Sequence, residues 1–157
     1  MIAESISIEI SFEKYWEEVY KAVSYGGFDS MAHIDFPKRY YKKCIWTKMQ
    51  IRDILSAMVK NYIALEINTS SLRKGLAEPM PGKEFLEIYR DVGGINITIG
   101  TDAHSPEELA SGYECARSLV YRYVKECFIY KQKSNIIKST GSCGYTGYRW
   151  DRNEPFN

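Results

Sequence analysis

Three short apolar runs constrain this chain more than any other feature: Phe28–His33, Tyr62–Asn68 and Ile95–Ile99. Each has the length and the β-branched or aromatic content of a strand, and each is separated from the next by a stretch with helical periodicity. Residues 12–25 carry Phe12, Trp16, Val19, Tyr20 and Val23 at helical spacing, with Ser11 expected as N-cap and Gly26-Gly27 as the stop. Residues 46–60 place Trp46, Met49, Ile54, Leu55, Met58 and Val59 on one broad face. Beyond Pro79 and Pro81-Gly82, a helix is expected over residues 83–92 with Phe85, Leu86 and Tyr89 inward. Pro106 suits the first position of a further helix running to about residue 125. Strands alternating with helices predict βαβ units, a parallel sheet and the α/β class. Periodicity fades after Ser139, so a domain over 1–138 followed by an irregular tail over 139–157 is expected.

Composition narrows the function. The 157 residues are 45% apolar and 26% charged, ordinary for a globular chain, and the net charge of +1 argues against a nucleic-acid or membrane-surface partner. The start lacks a basic-then-apolar leader and no run approaches the roughly 18 apolar residues of a membrane span. Cys44, Cys115, Cys127 and Cys143 have no C-x-x-C spacing. Incidental thiols in a reducing compartment are therefore expected, with Cys115 and Cys127 in the core and the protein in the cytoplasm. Charge is nevertheless uneven. Residues 1–36 hold seven acidic and two basic side chains, and residues 37–60 seven basic and one acidic. A solvated lysine-rich face is the ordinary reading of the basic stretch; a phosphate-attracting rim is the sharper one.

The chemically capable residues gather where the expected strands end. The first run ends in His33-Ile34-Asp35, the second carries Glu66 and Asn68 with Arg73 and Lys74 beyond, and the third leads into Thr101-Asp102-Ala103-His104-Ser105. Sites of parallel α/β folds form at those ends. In extended backbone Asp102 and His104 would point to one side and could share a metal, with His33 adding an imidazole. Mixed nitrogen and oxygen donors suit Zn, Mn or Fe equally. Asp35 could support the site from behind. Each residue also has a plainer reading: Asp102 and Ser105-Pro106 as a helix start, His33 as a hydrogen-bonded core histidine, Arg73 and Lys74 as solvated loop charges. Glu66 within an apolar strand is harder to dismiss, because burying an unpaired carboxylate is costly.

Ala32-His33-Ile34-Asp35-Phe36-Pro37-Lys38-Arg39-Tyr40, Leu65-Glu66-Ile67-Asn68-Thr69-Ser70-Ser71-Leu72-Arg73-Lys74 and Ile99-Gly100-Thr101-Asp102-Ala103-His104-Ser105 occur in this order. Together they resemble the C-terminal half of a histidinol-phosphatase of the PHP (polymerase and histidinol phosphatase) family, over roughly residues 10–137. The resemblance implies a partial (β/α)7 PHP-type barrel, with a divalent metal cluster at the strand ends. It implies His33, Asp102 and His104 as metal ligands, Arg39 and Arg73 as holders of the substrate phosphate, and Asn68 and Ser105 as pocket lining. The implied reaction is metal-dependent hydrolysis of L-histidinol phosphate to L-histidinol and phosphate, in histidine biosynthesis. The family's opening H-x-H and further ligands have no counterpart here, so a truncated chain with negligible activity alone is expected, partnered by a missing N-terminal half. The alternatives are another PHP phosphoesterase, acting on nucleotides or phosphotyrosine, and a non-catalytic chain that binds phosphate or a partner.

Overall fold

A computed structural model describes residues 7–123 and 128–129. Helix α1 (Ile8–Tyr25) starts one turn earlier than Ser11 suggested. Ser7 is the N-cap, its hydroxyl accepting the Ile10 amide at 3.3 Å, while the Ser11 hydroxyl donates to the Ser7 carbonyl. Gly26, at φ 73°, ends the helix in a conformation that disfavours side chains. The buried stripe is Phe12, Trp16, Val19 and Val23; Tyr20 lies outside it and is exposed. Strand β1 (Ser30–Met31) and the short helix α2 (Lys38–Tyr41) follow.

Helix α3 (Lys48–Lys60) opens with a reciprocal cap between Thr47 and Gln50. It buries Ile51, Ile54, Leu55 and Met58. Met49 falls off that stripe and is 74% exposed, whereas Trp46 precedes the helix and sets its ring edge-on to Phe85 at 5.1 Å. Strand β2 (Ala64–Asn68), helix α4 (Ser70–Arg73), helix α5 (Lys83–Asp91) and strand β3 (Asn96–Gly100) come next.

The helix expected over 106–125 is divided. A single 3-10 turn spans Pro106–Glu108, and α6 (Tyr113–Tyr123) begins only after Ala110 and Gly112 take positive φ. Gly112 is also required sterically, since a Cβ there would meet Thr69 Cβ at 2.9 Å. Helix α6 buries Ala116 and Val120, and Cys115 is exposed rather than in the core. Strand β4 (Phe128–Ile129) completes the described chain. Cys127, Cys143 and the segment 139–157 lie outside the described residues.

The four strands are all parallel and ordered β1-β2-β3-β4, so sequence neighbours are sheet neighbours. Helix α1 packs on α3, α3 on α5 and α5 on α6, in the same order as the strands. The α/β parallel architecture read from the sequence is thus present, as an open sheet among the described residues. Leu65, Ile67 and Ile97 are fully buried toward the helices. Removing each from water contributes roughly 1.5–3 kcal/mol.

Glu66 beside Thr98 and Asn68 beside Gly100 occupy the other phase of the alternation. Ser30 and Thr98 belong to strands separated by β2, a flat-sheet spacing of about 10 Å. Their hydroxyl oxygens are nevertheless 2.8 Å apart. The sheet therefore curls strongly toward its polar face, over the small side chain of Ala64. No helix among the described residues is long and apolar enough to cross a membrane.

Candidate functional site

Where the strands run out at their C-terminal ends, the backbone is strained. His33 (φ 32°), just after β1, and Asp102 (φ 49°), just after β3, are both non-glycine residues at positive φ. Such conformations cost of order 1–3 kcal/mol and persist where surrounding bonds over-determine them. Those bonds can be traced residue by residue.

Asn68, the last residue of β2, is buried, and its amide works in both directions. Nδ2 donates to Glu66 Oε1 at 3.0 Å, and Oδ1 accepts the Ser70 amide at 3.0 Å and the Ser70 hydroxyl at 2.6 Å. Ser70 in turn accepts from Arg39 Nη2 at 2.8 Å. The same Arg39 nitrogen donates to Asp102 Oδ2 at 3.0 Å. A continuous chain Glu66–Asn68–Ser70–Arg39–Asp102 therefore ties β2, the start of α4, helix α2 and the loop after β3 together. Gly100 leaves the room that the Glu66 carboxylate occupies, since a Cβ there would meet Oε2 at 2.5 Å and displace it. Glu66 escapes the cost of unpaired burial by being only half-buried and bonded to Asn68.

Arg39 is well sheltered. Its guanidinium lies over the Phe36 ring at 5.3 Å, and Phe36 also packs its ring on the His33 imidazole at 4.8 Å between centroids. Its Nε is buried without a hydrogen-bond partner among the described residues, an unused donor on the guanidinium. Partial burial pushes the Asp102 carboxyl up. The hydrogen bond from Arg39 and its charge outweigh that, leaving it below the usual carboxylate range.

Arg73, at the end of α4, grips the Asp102 loop. Nη1 donates to the Thr101 carbonyl at 2.8 Å, and Nη2 to the Asp102 carbonyl at 3.0 Å and to Glu108 Oε2 at 3.1 Å. The left-handed Asp102 removes the extended geometry on which the Asp-x-His expectation rested. His104 instead turns back, its Nδ1 lying 2.8 Å from the Asp102 carbonyl. Ser105 is exposed at the start of the 3-10 turn, and its hydroxyl holds the Glu107 carboxyl below its usual range.

Asp35 is 2% exposed and faces a different group. Lys38 Nζ sits 3.5 Å from its Oδ2 and 2.9 Å from Glu78 Oε1. Burial pushes its carboxyl up to about 6 despite Lys38. Burial likewise pushes the neighbouring Cys44 thiol up to about 12, so Cys44 is a protonated thiol at neutral pH.

The structure thus brings Arg39, Asn68, Arg73, Asp102 and His104 into one linked network, with His33 joined to it through Phe36 and Ser105 at its exposed margin. Ser70 and Glu108 belong to the network too. Sequence reading passed over both, since a serine after Asn-Thr reads as a turn and a glutamate after Pro106 reads as ordinary helix-start charge. Among the described residues, no three His, Cys, Asp or Glu side chains converge closely enough to hold a metal ion. Asp102 is engaged by Arg39, so the donors present do not by themselves fit a metal centre.

No family model matches the chain. It is 42% identical over 88 residues to a probable histidinol-phosphatase of Thermotoga maritima, covering 55% of this chain and 37% of that protein. It is 29% identical over 98 residues to one of Deinococcus radiodurans, covering 62% and 37%. A third, from Schizosaccharomyces pombe, is 33% identical over 87 residues, covering 55% and 26%. The chain thus spans roughly a quarter to just over a third of the length of these curated relatives.

Proposed function

We propose that this chain is the phosphate-holding portion of a histidinol-phosphatase, an enzyme of histidine biosynthesis that releases L-histidinol and phosphate from L-histidinol phosphate. The observation that carries this reading is the Arg39 guanidinium, sheltered and bonded to Ser70 and Asp102 where strand ends meet. A phosphomonoester presents planar pairs of anionic oxygens, which a guanidinium binds through two parallel N–H donors. The Asp102 carboxylate occupies one of those positions, standing where a phosphate oxygen would lie. Arg73 adds positive charge on the same loop, and Asn68, through Ser70, keeps Arg39 aimed. Ser105 lines the approach. The likeness to three probable histidinol-phosphatases supports the substrate.

The curled parallel sheet supports the further proposal that the fold is part of a (β/α)7 PHP-type barrel. On this reading a divalent ion (Zn, Mn or Fe) is the cofactor of the completed protein. His33, Asp102 and His104 are then joined by donors from a polypeptide portion that the relatives have and this chain does not span.

Hydrolysis assays test the proposal. Histidinol phosphate, nucleoside monophosphates and phosphotyrosine are offered to this chain, and to a version extended at its N-terminus with the corresponding portion of the Thermotoga maritima relative. The chain alone is expected to turn over negligibly, and the extended, metal-supplied version to prefer histidinol phosphate. No hydrolysis by the extended version would sink the substrate assignment. Preference for nucleotides or phosphotyrosine would transfer the reading to another phosphoesterase.

A further inference from the structure

We infer that Glu108 is a positioning residue that fixes which nitrogen of His104 is offered to the site. The argument begins with an acceptor count. The Asp102 carbonyl can only accept hydrogen bonds, and it lies 2.8 Å from His104 Nδ1 and 3.0 Å from Arg73 Nη2. His104 Nδ1 must therefore carry the proton. In the neutral ring Nε2 then keeps its lone pair, on an exposed side chain.

That arrangement needs the 101–104 turn held in its left-handed bend, and the free backbone does not favour it. Glu108 supplies the hold. One oxygen, Oε2, accepts the His104 backbone amide at 2.8 Å and the Arg73 guanidinium at 3.1 Å. Arg73 is thereby placed to donate to the Thr101 and Asp102 carbonyls. With Glu108 removed, Arg73 loses its anionic partner and the His104 amide its acceptor. The ring is then free to leave the Asp102 carbonyl and rotate. An ion pair as open to solvent as this one adds little to stability. The role of Glu108 lies in aim rather than in folding. It deepens the phosphatase reading, on which its purpose rests: a ring nitrogen that keeps its lone pair can accept a proton or bind an electrophile.

Nitrogen-15 NMR of the full chain reads this directly, because the sequence holds only two histidines. A His33→Asn variant assigns the pair. At a pH where the rings are neutral, wild-type His104 is expected to be protonated at Nδ1. Glu108→Ala is expected to revert to the free-imidazole mixture dominated by the Nε2–H form, with His33 unmoved. Glu108→Gln should restore the wild-type signature, since its amide oxygen accepts the same two N–H groups. Glu108→Asp, one methylene shorter, should shift part of the way and serves where the alanine variant fails to fold. A wild-type His104 protonated at Nε2 would overturn the inference, as would an unchanged signature in folded Glu108→Ala or, failing that, in Glu108→Asp. Inorganic phosphate added to the same samples reads the phosphate proposal separately. If no variant responds to it, that reading fails while the tautomer result stands.

Discussion

On the helix side of the sheet, Leu65, Ile67 and Ile97 are sealed from water and hold one another by shape. One residue along the same strands, Glu66, Asn68 and Thr98 make directed bonds instead, and the sheet curls toward them. The first face supplies stability through burial. The second spends part of that stability on strained turns at His33 and Asp102 and on a chain of charge-assisted bonds that aims Arg39. The period-two alternation of a strand is what allows a single five-residue segment to serve both.

If the faces differ in this way, substitutions should separate them. Leu65→Ala, on the apolar face, should cost about 2–5 kcal/mol through lost burial and the cavity left behind. Chemical denaturation measures it, and a loss under about 1 kcal/mol would mean that the core relaxes around the site. Asp35 is the exception on the buried side, and its replacement sharpens the contrast. Its carboxyl is raised from the ordinary 3.8 to about 6, so the stability contributed by its protonated form is present at acid pH and lost as pH rises through about 6. Asp35→Asn should therefore be more stable than wild type at about pH 8, by on the order of 2 kcal/mol, with the difference vanishing toward about pH 4. Melting curves across that range check it, and a variant less stable at every pH would show that the Lys38 pair outweighs burial. Thr98→Ala removes one hydroxyl bond on the polar face and should cost only about 0.5–1.5 kcal/mol. A much larger loss would make the curl of the sheet depend on that single bond.

The apolar face was legible in the sequence because burial imposes periodicity. Ile54, Leu55 and Met58, like Phe85, Leu86 and Tyr89, were found inside where spacing placed them. Tyr20, Met49 and Cys115 were misplaced because they sit at or beyond the margins of their stripes, where hydrophobicity alone does not decide exposure. The divided 106–125 segment hid from periodicity because Gly112 acts through its approach to Thr69, a residue far away in sequence. Of the site, the strand-end positions of His33, Asn68 and Asp102 could be read, since parallel sheets place their chemistry there. The Asp102 side chain's pairing with Arg39, and the role of Glu108, could not. Both depend on a left-handed residue that extended-strand reasoning excludes.

The central claim is that Asp102 holds the place of a phosphate oxygen on Arg39, and calorimetric titration of inorganic phosphate into three forms of the chain tests it most directly. Asp102→Asn should bind phosphate more tightly than wild type, by about tenfold or roughly 1.4 kcal/mol, because Arg39 is released and a competing negative charge removed. Arg39→Ala should bind more weakly than either. Equal or weaker binding by Asp102→Asn, with Arg39→Ala unchanged from wild type, would contradict the account.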